Sequence, residues 1–162
     1  SASMRTVGCA KRNCTSVLSV VCSTTTTGPV WSFTTAVTDP YLGWAQSENL
    51  TPGVNDAQDD DPDHDGVQNL IEYALGSDPT DSSDQPDLPT LGTNGAYLTL
   101  TFTPQRVDGL TYVVEACSDL SDWSDQTDVT SLLTPGVAYT HTDSVELDSA
   151  TKRFLRLRIA QP

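Results

Sequence analysis

Between Asn13 and Gln105 the chain has no lysine or arginine, yet this stretch holds thirteen acids, eleven of them from Asp56 to Asp87. With a formal charge of −14 overall, such a field repels nucleic acid and anionic membrane surfaces and attracts cations. No run of eighteen apolar residues is present, which leaves no candidate transmembrane helix. The sequence also lacks a GxSxG elbow, an HExxH helix and a phosphate-binding glycine loop. Its two histidines, His64 and His141, stand in different segments. The clustering of acids in one region weighs against a pair of carboxylates flanking a glycosidic bond. The expectation is a protein without catalysis of its own, no nucleic-acid partner and no membrane insertion. Four cysteines (Cys9, Cys14, Cys22, Cys117) fit no zinc spacing. They permit either a disulfide framework or free thiols.

What is present centres on Asp61-Pro-Asp63-His-Asp65-Gly66-Val67-Gln-Asn69-Leu-Ile-Glu72. Oxygen side chains fall at loop positions 1, 3 and 5, glycine at 6, a carbonyl donor at 7, an amide at 9 and glutamate at 12. This is the spacing with which a short loop wraps a calcium ion in hard oxygen ligands. The candidate metal ligands are Asp61, Asp63, Asp65, Val67, Asn69 and Glu72. Gly66 gives the sharp turn, and Glu72 can close the shell with two oxygens. Downstream, Val67, Leu70, Ile71, Ala74 and Leu75 form an apolar helical stripe that stops at Gly76. Upstream, Asp39-Pro40 opens a helix as N-cap and first helical residue, with Tyr41, Trp44 and Ala45 on one face, and Thr51-Pro52-Gly53 ends it. The aromatics of this helix are expected to pack on the stripe of the calcium helix.

From Gly95 onward the apolar period changes to two. Leu98, Leu100 and Phe102 face one way, as do Tyr112, Val114 and Ala116 in the next run, and Leu155, Leu157 and Ile159 in the last. Val129–Leu133 and Val137–Thr142 are further strand candidates, and Trp123 is expected to plug one end of the resulting antiparallel β-sandwich. Lys152, Arg153, Arg156 and Arg158 read as edge charges that discourage sheet-to-sheet pairing. Ser77–Thr90, rich in Asp, Ser and Pro, reads as a linker.

The stretch DPDHDGVQNLIEYALGSDPTD resembles the aspartate-rich calcium repeats of secreted bacterial proteins, related to thrombospondin type 3 repeats and to the loop–helix of dockerins. The resemblance implies Ca2+ as the bound ion, with Asp61, Asp63, Asp65, Asn69 and Glu72 as side-chain ligands. One loop is present where a dockerin has two, so cohesin binding is not implied. LTYVVEACSDLSDW, followed by RFLRLRIAQP, is similar to a β-sandwich module that terminates such proteins. GPVWSFTT resembles the closing strand of a fibronectin type III-like module. The expected fold class is mainly β with a small α element: an antiparallel Ig- or fibronectin-like β-sandwich preceded by a two-helix, EF-hand-like calcium loop. The expected organisation is residues 1–36 as a module remnant, 37–80 as the helix–calcium loop–helix element, 81–94 as a linker and 95–162 as the sandwich. The functional expectation is a non-catalytic accessory region, extracellular or on the cell surface, with a signal peptide upstream of Ser1. Its rivals are a module that binds polysaccharide or a cell-surface protein, and a secretion or sorting signal.

Overall fold

The computed structural model describes residues 39–149 and 152–161, and within the first 38 residues the backbone of three short strands. Those strands, β1 (Ser3–Met4), β2 (Leu18–Val21) and β3 (Thr34–Thr35), pair antiparallel in that order, with Ser3 opposite Val21 and Leu18 opposite Thr35. Of the strand expected in GPVWSFTT, Thr34 and Thr35 are described as strand; Val30–Phe33 lie outside the described residues, as do Cys9, Cys14 and Cys22.

Helix α1 (Pro40–Ser47) starts as its sequence dictates: Asp39 accepts the Tyr41 N–H at 3.0 Å, and Pro40 occupies the first turn, where a missing N–H costs nothing. Residues 48–60 then run as turns before the aspartate loop, so the chain does not pass from one helix straight into the loop as a regular EF-hand would. Helix α2 (Asn69–Leu75) leaves that loop and ends at Gly76, whose φ is +86°. A Cβ there would stand 2.6 Å from Gln105 Cγ, so both backbone conformation and space require glycine. The two helices meet through Tyr41, Trp44 and Tyr73, whose ring centroids are 5.3–5.5 Å apart. Each such pair contributes about 0.5–1.5 kcal/mol beyond the area it buries.

The remaining strands form two three-stranded antiparallel sheets: β4 (Thr90–Asn94), β5 (Tyr97–Phe102) and β8 (Tyr139–Glu146) in the order β4-β5-β8, and β6 (Thr111–Cys117), β7 (Asp125–Asp128) and β9 (Phe154–Ala160) in the order β7-β6-β9. The period-two apolar residues Leu100, Phe102, Tyr112, Val114, Ala116 and Leu155 are buried in one core, which continues into the helices through Tyr41, Trp44, Ala45, Tyr73 and Ala74. The end of α2 is fastened to this body. Gln105 N–H donates to the Ala74 carbonyl at 2.8 Å, and the Arg106 guanidinium donates to the Tyr73 carbonyl at 2.7 Å while lying 4.8 Å from the Tyr73 ring centroid. These bonds occupy last-turn carbonyls that the helix itself leaves without partners.

Several expectations are corrected. Thr90–Asn94, placed within the linker, is edge strand β4, and Pro79 and Pro86 of the preceding segment are buried rather than solvated. Val129–Leu133 is not a strand: Val129 is buried, but Thr130–Leu132 turn as a 3-10 helix with Leu132 exposed. Trp123 does not plug the core; it is half-buried under the Arg156 guanidinium, 3.9 Å from its ring centroid. The arginines are not free edge charges either. Arg156 and Arg158 both bind Glu115 at 2.7 Å, and Arg153 binds Asp143 through Nε at 2.5 Å and Nη2 at 2.7 Å, reaching Asp125 as well. Glu115 and Asp143 are buried, so these cations neutralise acids that the sheets have removed from water.

Candidate metal centre

Asp61, Asp63 and Asp65 each place a carboxylate oxygen within 4.8 Å of the others. The loop's own backbone sets this up. Gly66 N–H donates to Asp61 Oδ2 at 3.1 Å, Asp65 N–H to Asp63 Oδ1 at 3.2 Å, and Val67 N–H to Asp65 Oδ1 at 2.7 Å. Each aspartate thus spends one oxygen on the turn. The turn itself passes through positive φ at His64 (62°) and Gly66 (93°), and His64 is exposed.

Helix α2 brings the next two residues. Asn69, at its first position and fully buried, donates both amide hydrogens outward, to the carbonyls of Asn55 at 3.0 Å and Ala57 at 2.8 Å. That donor pattern fixes which end of the amide is oxygen and leaves Oδ1 free. Glu72, also fully buried, accepts the Ser77 hydroxyl at Oε1, 2.9 Å away. Val67, expected to offer its carbonyl, is buried at the exit of the loop with its N–H on Asp65.

One set of atoms remains. Among the described residues, the buried side-chain nitrogens and oxygens without a hydrogen-bond partner are Asp61 Oδ1, Asp63 Oδ2, Asp65 Oδ2, Asn69 Oδ1 and Glu72 Oε2. All five are oxygens, and they belong to the five residues expected as side-chain ligands. A buried acceptor without a partner costs about 1–3 kcal/mol, so five in one loop and its helix are not an incidental defect.

No protein-family model, curated protein or solved structure matches the chain.

The electrostatics of the centre point the same way as its geometry. The Glu72 carboxyl is pushed up to about 7, first by burial and then by the charges of Asp63, Asp65 and Asp61, against the Ser77 hydrogen bond. Asp63 is likewise raised, first by burial and then by Asp65 and Asp61, with the Asp65 N–H opposing. Concentrated negative charge that its surroundings disfavour is what a cation relieves. The donor set is all oxygen, without thiolate or imidazole, which suits a hard divalent ion and not zinc or copper.

Four supporting groups escaped the sequence reading. The Asn55 and Ala57 carbonyls orient Asn69 from a turn with no periodicity to read, and Gln85 reaches the Asp65 carbonyl from the proline-rich segment at 3.5 Å. Ser77 had a local signal: it directly follows the glycine that ends the ligand-bearing helix.

Proposed function

We propose that this chain binds calcium through Asp61, Asp63, Asp65, Asn69, Glu72 and the Val67 carbonyl, and that it serves as a non-catalytic accessory region. The observation that carries the reading is the set of five buried oxygens without partners. In this reading the aspartate loop with α2 is an EF-hand-like half-site related to thrombospondin type 3 and dockerin loops. The two sheets then form a terminal β-sandwich, and the parent is a secreted or cell-surface bacterial protein.

The role we assign to the ion is to stiffen the place where the chain enters and leaves the sheets. Gln58, one residue beyond the Ala57 carbonyl that holds Asn69, donates to Gln161 Oε1 at 2.7 Å; Gln161 in turn donates to Asp39 at 2.5 Å. The turn leading into the loop, the N-cap of α1 and the residue just after β9 are therefore linked side by side, and ordering the loop orders the exit points. Calcium at ten times its dissociation constant stabilises by about 1.4 kcal/mol, which slows cleavage through opened states about tenfold. Limited proteolysis in calcium and in chelator tests this. Protection of residues 48–60 and 77–89 by calcium is expected; equal cleavage rates in the two conditions would remove the stiffening role.

The rival carbohydrate-binding reading gains less support. Sugar platforms stack on exposed rings, and among the described residues every aromatic side chain is buried or half-buried.

A further inference from the structure

Ser77 is placed with unusual determinism. Helix α2 ends by wrapping over the carbonyl of Glu72, which accepts from Gly76 N–H at 2.7 Å and Ser77 N–H at 3.3 Å. Gly76 adopts a left-handed conformation that L side chains rarely take, and a Cβ there would stand 2.6 Å from Gln105 Cγ. The turn therefore returns the Ser77 hydroxyl onto the side chain of the residue whose carbonyl it wraps, and the hydroxyl meets Oε1 at 2.9 Å. Glu72 is fully buried and has no solvent into which Oε1 could turn. Of its two oxygens, Oε2 alone lacks a partner.

The consequence is a question of ligand number. Calcium takes six to eight oxygens, and the glutamate that closes an EF-hand loop provides two of them; magnesium demands about six in near-octahedral order. Here the partnerless side-chain oxygens number five, one per residue, and the Val67 carbonyl of the proposed site would be a sixth. We propose that Ser77 is a specificity-determining residue, which holds Glu72 to a single coordinating oxygen and so makes the centre accept magnesium beside calcium. The inference rests on the calcium reading above and goes beyond it by naming the ion class: hard divalent cations with weak discrimination by size.

Calorimetric titration of the full chain with calcium and, separately, with magnesium tests it on wild type, Ser77→Ala and Ser77→Thr. Removing the hydroxyl frees Oε1, so in Ser77→Ala the preference for calcium over magnesium rises about tenfold or more, carried by tighter calcium binding. Ser77→Thr keeps the hydroxyl and keeps the wild-type preference. The asymmetric carboxylate stretch of the calcium-loaded protein, isotope-edited at glutamate, shifts from a unidentate to a bidentate position only in Ser77→Ala. Unchanged preference, or weaker calcium binding with the stretch unmoved, overturns the proposal while leaving the calcium centre intact. Wild type that binds neither ion overturns both.

Discussion

Replacing Glu72 with glutamine weakens calcium binding by about a hundredfold or more, because the centre loses a charged ligand, and yet the variant melts higher than wild type when both are held in chelator near pH 8. The second half follows from the sign of the linkage. Glu72 has a folded-state value of about 7 against 4.5 for the free side chain, so the native protein holds this proton more tightly than the unfolded chain. Without the ion, the group's contribution to stability is complete below the unfolded value, falls as pH rises, and is lost above the folded value. Glutamine keeps the neutral shape, still offers an oxygen to the Ser77 hydroxyl, and has nothing to ionise. Calcium reverses the balance in wild type by displacing the proton, so its affinity rises about tenfold from near pH 6 to near pH 8. This rise flattens in E72Q. Thermal melts and calcium titrations at the two pH values check each part; an E72Q protein that melts lower than wild type in chelator contradicts the electrostatic account of the loop.

Arg153→Ala destabilises the sheets by about 3–5 kcal/mol, the cost of leaving a buried carboxylate without its partner. The side chains of Arg153 and Asp143 are only 6% and 3% exposed, and the guanidinium grips Asp143 with two bonds. The further contact to Asp125 adds little, since that carboxylate is half in water. The pair matters because of where it stands. Asp143 lies in β8 of one sheet, Asp125 in β7 of the other, and Arg153 just before β9. The arginine therefore binds a carboxylate from each of the two sheets. Burial alone would raise the Asp143 carboxyl, but Arg153 holds it below its usual range. A carboxylate lowered on folding stabilises above its unfolded value and loses that contribution as pH falls through the folded one. Urea unfolding near neutral pH should show the full loss in Arg153→Ala, and the gap from wild type should narrow in acid, about pH 3 and below. A loss under about 1 kcal/mol at neutral pH would mean that water, not Arg153, satisfies Asp143.

The loop stood out in sequence because calcium coordination would dictate residue type at fixed spacing within a dozen neighbours, and among the described residues each buried side-chain oxygen without a partner falls on a residue so named. Strands β5, β6 and β9 were legible for a similar reason, each having one face in the core and so an apolar period of two. Strands β4 and β7 are exposed along their whole length, so burial left no alternation to read. The opposite failure, at Thr130–Leu132, came from apolar residues that do not all go inside. The arginines misled because their partners are distant in sequence: Glu115 lies 41 and 43 positions from Arg156 and Arg158, and only the pairing of β6 with β9 brings them face to face. Ser77 bonds a side chain five residues back, across a helix end that turns at Gly76 in a left-handed conformation. A reading by periodicity assigns such a residue to the linker.

The central claim is that five oxygens and a carbonyl in one loop–helix element hold a calcium ion, and calorimetric titration of the full chain with calcium tests it most directly. The account predicts saturable binding of one ion per chain, a higher melting temperature in calcium than in chelator, and the disappearance of both in Asp65→Ala. No heat and no shift in melting temperature at millimolar calcium, or binding that survives Asp65→Ala unchanged, would contradict it.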